Sequence, residues 1–222
     1  MAKPTSGGAG GSGGRKRTKA TPETYREFNL DTDGAAISER AQAGWDAQIA
    51  GLSWRDTWEM EDYQRNGLIN YALRDPDIAS RFDEKNIKSQ IRVMDNAMLP
   101  LNENITLHRG GRVPDLASMF EKLGAEGMVG QMINDKAYMS TSYDIKVAEE
   151  FRNLRFAGGT SVMIKIRAPK GTKGIHMNPN QRELGYQREV VLARGTSLRI
   201  ISIQKTVRNW EEFYEVEAEA VQ

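Results

Sequence analysis

An α+β fold is predicted by three observations. Apolar residues in the first half recur at helical spacing, the second half breaks into short runs bounded by Gly, Pro and polar residues, and the two patterns do not alternate as parallel βαβ units would. Residues 1–22 stand apart. Gly, Ser, Ala and Thr dominate them, no apolar period appears, and RKRTK interrupts at 15–19, so they read as a disordered basic tail. Residues 23–222 read as one folded domain, mainly helical over 23–103 and mainly β over 104–222.

Residues 36–49 are rich in Ala, with Glu39 and Arg40 among them, and predict a helix. From Trp54 to Leu73, residues Trp58, Met60, Tyr63, Leu68, Ile69, Tyr71, Ala72 and Leu73 keep a helical period, and Asp75-Pro76 ends it because the residue before Pro avoids the α region. Asn86 to Leu99 repeats the pattern and Pro100 closes it. The period then shortens. Ile105–His108 predicts a strand entering a turn at Gly110-Gly111, with a helix over Asp115–Leu123. Ala137–Thr141 predicts a strand and Asp144–Phe151 a helix. Strands follow at Ser161–Arg167, Gly174–Met177, Gln187–Leu192 and Ser197–Gln204. In Phe213–Val221, Glu215, Glu217 and Glu219 alternate with Tyr214, Val216, Ala218 and Ala220, which predicts a strand with one acidic, solvated face.

Composition excludes several chemistries. There is no cysteine, so thiol catalysis, disulfides and thiolate metal sites are out, and the two histidines, His108 and His176, lie too far apart in sequence to read as a metal motif. Five of the 31 Lys and Arg residues sit in the tail; the remaining 26 face 30 acids, a net charge of −4 for the body, which is not the balance of a nucleic-acid binder. Only the tail offers a weak contact for nucleic acid. No apolar run is long enough to span a membrane, and no secretory segment follows the N-terminus.

Three polar spots fall at strand ends: Arg109, Ser140-Thr141-Ser142, and Gln187 with Glu189. On a strand, side chains two apart share a face, so an amide and a carboxylate would project together from a rigid edge. Each spot alone has a plain explanation, as a surface Arg, a helix cap before Asp144, or an exposed edge. The triplet Gln-Arg-Glu also occurs at 181–183, but Leu184-Gly185 follows it. The run Val190-Val191-Leu192 after the second copy gives a rigid mount, so the pair is assigned to 187 and 189, and 181–186 to a mobile loop.

The order strand-Arg, Ser-Thr-Ser, Gln-x-Glu resembles the mono-ADP-ribosyltransferases of the toxin type, the exoenzymes among them, and similar sets occur in phage-encoded proteins. The similarity spans about residues 50–205. Ile69–Arg74 resembles the helix whose Asn and Arg contact the dinucleotide. Asn104–Gly110 resembles the first motif, with His108 where an aromatic is usual. Tyr138–Ser142 resembles the second, and Phe156–Gly159 the loop that packs on nicotinamide. The resemblance implies helices packed on two mostly antiparallel β-sheets that form an NAD cleft. It implies NAD as substrate, no metal, and a target protein as acceptor, with action in a host cytoplasm or carriage by a secretion system or virion.

It also implies residue roles. Glu189 holds the ribose 2′-hydroxyl and stabilises the charge that develops as the nicotinamide bond breaks. Ser140 orients Glu189. Arg109 grips the dinucleotide through a planar fork, with Arg74 and Asn70 as further contacts. Gly110 and Gly111 let the backbone approach the nicotinamide, and Phe156 and Tyr143 supply apolar surface. Thr141 and Ser142 hold the strands together at the cofactor site. Gly159 replaces an Arg of the family, leaving Arg152 or Arg155 to reach a phosphate. Members with Gln at position 187 tend to modify Asn or Gln rather than Arg, because an amide can pair with an amide. Arg182, Glu183, Leu184, Tyr186 and Gln187 would meet the target, Leu184 standing where Rho-modifying members carry an aromatic. Two further readings remain: an NAD glycohydrolase, with water as acceptor, and an inactive binding module of the same fold.

Overall fold

The computed structural model describes residues 23–153, 159–208 and 210–222. The expected tail 1–22, and the loop with Arg155 and Phe156, lie outside the described residues. Five helices come first: α1 (Leu30–Ile49), α2 (Trp54–Asn66), α3 (Leu68–Arg74), α4 (Pro76–Ala79) and α5 (Glu84–Ala97). Then follow β1 (Leu99–Pro100), β2 (Ile105–Val113), α6 (Leu116–Met128), β3 (Met132–Asn134), β4 (Met139–Ser142), α7 (Ile145–Arg152), β5 (Thr160–Ala168), β6 (Lys173–His176), β7 (Glu189–Leu192), β8 (Ser197–Arg208) and β9 (Glu211–Val221). A 3-10 turn, Gly185–Gln187, precedes β7.

Local signals explain most boundaries. The Asn29 side chain accepts from the Asp31 N–H at 2.9 Å, and Asp31 and Asp33 lie in the first turn, so α1 starts six residues before the expected 36. Ser53 and Asp83 cap α2 and α5 in the same way. The single helix expected over 54–73 is two, because Gly67 takes φ 56° and closes α2 with a left-handed cap. β2 also differs from expectation. It runs nine residues through Gly110-Gly111 instead of turning there, paired with β5 from Ile105↔Ala168 to Val113↔Thr160. A Cβ on Gly110 would lie 1.7 Å from the Ala148 carbonyl oxygen, so its bare backbone is what lets α7 lie against the strand.

Among the described residues the strands form one sheet in the order β1-β6-β7-β4-β2-β5-β9-β8-β3. All pairs are antiparallel except β5 with β9. The two expected sheets survive as two halves joined through a single paired position, His108 opposite Ser142. The halves fold towards one another: Met139, Val190 and Leu192 from the smaller share a core with Leu107, Ile164 and Ile166 from the larger. The alternate residues of the smaller half, Tyr138, Val191 and Ile175, pack on Trp45, Met60, Tyr63, Ile69 and Met94 of the helices. In β9, Tyr214, Val216, Ala218 and Ala220 are buried while Glu215, Glu217 and Glu219 lie half-exposed, as the alternation predicted. Helices, joint and smaller half-sheet together frame the candidate site residues.

Candidate active site

Glu189 opens β7, opposite Ser142 on β4. It is two residues before Val191 and shares that residue's face, towards the helices. Gln187 does not share the strand. It ends the 3-10 turn, and Arg188 between them is left-handed at φ 43°, so the expectation of two side chains on one strand face is corrected. The pair is fixed by a turn instead. The Gln187 carbonyl accepts from Ser142 Oγ at 2.6 Å and the Val190 carbonyl from Thr141 Oγ1 at 2.5 Å, while Ser142 Oγ also accepts from the Asp144 N–H. Thr141 and Ser142 thus tie β4 to the turn and β7.

The segment before the turn, expected as a target-recognition loop, is internally bonded. Gln181 Oε1 accepts from the N–H groups of Glu183 and Leu184, and its carbonyl accepts from Gly185 N–H at 2.8 Å. A Cβ on Gly185 would sit 2.1 Å from the Pro179 carbonyl oxygen, so the turn closes this tightly only with glycine there. Arg182, Glu183 and Tyr186 are exposed, Leu184 is half-buried, and Tyr186 donates to Glu150 on α7 at 3.4 Å.

Arg109 follows the joint on β2 and crosses to the other half-sheet, donating through Nη1 to the Ser140 carbonyl at 2.7 Å. Its Nη2 lies 3.9 Å from Asp135. Asp135 binds Arg74 by a two-pronged fork at 3.0 and 2.7 Å and accepts from the Ala137 N–H. Burial raises the Asp135 carboxyl, but Arg74, the Ala137 N–H and Arg109 outweigh it and hold it below the usual carboxylate range. One anion therefore spaces two arginines, of which Arg109 also lies against the Ser140 carbonyl.

Glu189 is 9% exposed. Burial pushes its carboxyl up to about 7; a hydrogen bond from Ser140 and the charge of Arg109 pull the other way. A buried acid poised near neutrality between a cation and a hydroxyl is typical of a reacting group. Behind it lie side chains missed in the sequence reading. The hydroxyls of Tyr63 and Ser140 are 3.1 Å apart, and Asn70 Nδ2 donates to Tyr63 at 2.8 Å. Asn70 Oδ1 accepts from the Tyr138 N–H at 3.0 Å, so the amide expected to touch the dinucleotide is engaged inside the protein. Tyr63 was visible only as one member of an apolar helical period. Asp135 sits in a short polar connection with nothing in the sequence to mark it.

Other expected residues fall elsewhere. Tyr143 is buried in the core, edge-on to Phe28 and stacked with His176, away from any open surface. Arg152 lies over the Phe213 ring and 3.7 Å from Glu211, already engaged. Gly110 accommodates α7, whereas Gly111 has open space where a side chain would start. His108 is buried, and burial lowers its imidazole. Among the described residues no group of three or more His, Cys, Asp or Glu is placed to hold a metal, and no helix is long and apolar enough to cross a membrane.

Known structures share this architecture. Plx2a, an ADP-ribosyltransferase toxin from Paenibacillus larvae, is 22% identical over 88% of this chain and 100% of its own, with a TM-score of 0.66. Vis toxin, an ADP-ribosyltransferase from Vibrio splendidus, is 20% identical over 90% of this chain and 89% of its own, at 0.65. The C3 exoenzyme of Clostridium limosum is 22% identical over 90% and 98%, at 0.60. No curated protein sequence matches. The family model described as ADP-ribosyltransferase exoenzyme matches residues 38–222. The chain therefore belongs to the ADP-ribosyltransferase exoenzyme family and is an NAD-dependent ADP-ribosyltransferase.

Proposed function

We propose that this enzyme transfers ADP-ribose from NAD to an asparagine or glutamine side chain of a target protein, releasing nicotinamide. The observation that carries the acceptor choice is Gln187. The residue is 8% exposed, it lies one residue beyond the left-handed link to Glu189, and no described residue is hydrogen-bonded to its side-chain amide. An amide beside the carboxylate with no partner among the described residues is suited to hold another amide, donor to carbonyl and carbonyl to donor.

In this reading Arg109 and Arg74, spaced by Asp135, bind the phosphates of NAD. Glu189, ionised, accepts from the ribose 2′-hydroxyl and stabilises the oxocarbenium-like charge as the nicotinamide bond breaks. Nicotinamide leaves with the bonding electron pair. The acceptor nitrogen, oriented by Gln187, bonds to the ribose carbon and gives one proton to water. Positioning the acceptor against the departing ring supplies much of the remaining advantage. Arg182, Glu183 and Tyr186 on the exposed side of the turn contact the target.

Incubating cell lysate with labelled NAD, followed by mass spectrometry of the modified peptide, tests this. Modified Asn or Gln supports it. Modified Arg overturns the acceptor choice, and nicotinamide release with no labelled protein reveals a glycohydrolase.

A further inference from the structure

Tyr63 is 2% exposed and does not need to touch NAD to matter. We propose that Tyr63 is a positioning residue for Glu189, the middle link of a one-way hydrogen-bond chain that starts at the Tyr138 N–H, passes through Asn70, Tyr63 and Ser140, and presents a fixed proton donor to the carboxylate. The proposal rests on Glu189 carrying the cleavage step.

The direction follows from what each atom can do. A backbone N–H only donates, so the Asn70 atom 3.0 Å from the Tyr138 nitrogen is Oδ1. The other end of the amide, Nδ2, also only donates, and it meets the Tyr63 oxygen at 2.8 Å. Tyr63 thus accepts from Asn70, and in the proposed chain its one proton goes to Ser140 Oγ, 3.1 Å away, a contact in which either oxygen can donate. Ser140, accepting from Tyr63, is left with its own proton for Glu189, whose carboxyl it pulls down. Every link donates towards the carboxylate, and such chains polarise in a low-dielectric interior. The chain does not titrate near neutrality, since burial first, and Glu189 second, raise the Tyr63 phenol well above its ordinary value.

The fold keeps the chain rigid. The break at Gly67 lets α3 start anew, with the Asn70 N–H donating to the Gly67 carbonyl at 2.9 Å, and this places Asn70 beside Tyr63 of α2. The Tyr63 ring stands edge-on to Tyr138, with centroids 5.9 Å apart. The charged and titratable groups facing Glu189 are Arg109 from β2 and Tyr63 from α2, with Asp135 and Arg74 behind Arg109. Without Tyr63's proton the Ser140 hydroxyl is free to rotate, and the carboxylate loses a dependable donor and keeps its own proton to higher pH.

The test is nicotinamide release from NAD, measured from pH 5 to 9, for the wild type, Tyr63→Phe, Ser140→Ala, their double variant, and Glu189→Ala. Phe keeps the ring and removes only the hydroxyl. The chain predicts that Tyr63→Phe moves the acid limb of kcat/KM up by about one pH unit and lowers kcat about tenfold at pH 7, with KM for NAD held within about twofold. It predicts further that the double variant is no worse than Ser140→Ala, since both cut one chain. An unmoved acid limb, or effects that multiply in the double variant, would make Tyr63 merely structural and overturn the chain. If Glu189→Ala abolishes release while Tyr63→Phe leaves the limb in place, the chain alone falls. If Glu189→Ala leaves release intact, the reading of Glu189 falls with it. Should Tyr63→Phe not fold, Asn70→Asp takes its place. An aspartate there accepts Tyr63's proton and reverses the chain. The limb must then rise, and rise less in the Ser140→Ala background; equal rises in both would overturn the chain.

Discussion

Replacing Glu189 with Gln should make the protein more stable, and only above about pH 5. The folded chain holds the Glu189 proton up to about pH 7, against 4.5 for the ordinary group. Its carboxyl therefore binds protons more tightly folded than unfolded. Below pH 4.5 it is neutral in both states and the fold keeps its full stability. As pH rises towards 7 the unfolded chain gives up its proton first, and stability falls; above 7 the loss is complete. The distance from 4.5 to about 7 corresponds to about 3 kcal/mol, already net of the help from Ser140 and Arg109. Gln is neutral throughout, keeps an acceptor for Ser140, and escapes this loss. For a chain of this size, about 3 kcal/mol is on the order of 6–12 °C in melting temperature. Melts of both proteins from pH 4 to 9 should coincide at the acid end and diverge by that amount at pH 8, while Glu189→Gln lowers nicotinamide release by about a hundredfold or more. Parallel curves, or a variant less stable at pH 8, would refute the idea that burial of this carboxylate is maintained at the expense of the fold.

Other substitutions separate the remaining roles. Gln187→Glu should leave nicotinamide release within about threefold at pH 8 but reduce transfer to protein about tenfold or more, and the added carboxylate should push the acid limb of the rate profile upwards; equal losses in both assays would contradict separate jobs for 187 and 189. Asp135→Asn removes the anion between Arg74 and Arg109, and should raise KM for NAD several-fold and lower stability by about 2 kcal/mol in urea titrations. Gly110→Ala should destabilise by about 3 kcal/mol or prevent folding, because its Cβ would meet the Ala148 carbonyl, whereas Gly111→Ala, with no atom within 4 Å, should melt within a degree or two of the wild type.

Much of the fold could be read from the sequence because one pattern sufficed at each position. The Glu/apolar alternation of β9 admits one strand and one face, and Asp144 marks a helix start that α7 obeys. Positions serving two purposes were harder to read. Gly110-Gly111 has the composition of a turn, yet lies within a strand because a helix from a later segment needs the space. Gly67 sits inside a sound apolar period and still breaks it, since a single left-handed residue is compatible with either side of the pattern. Tyr63 belongs to the helical period through its ring and to the site through its hydroxyl, and periodicity registers only the ring.

The Gln-x-Glu pair carries this furthest. Read as a strand, its spacing puts both side chains on one face by period alone, and any residue would do between them. In the structure the spacing is set by a 3-10 turn closing on Gly185 and by a left-handed Arg188, with Ser142 holding the Gln187 carbonyl from the neighbouring strand. The amide therefore belongs to the segment that presents Arg182, Glu183 and Tyr186 outwards, and the carboxylate belongs to the buried sheet. In the proposed reading that division would let acceptor choice and NAD cleavage be altered separately: a change in the turn would move Gln187 without disturbing β7, where Glu189 is paired with Ser142. On a continuous strand, any shift that moved one side chain would have moved both.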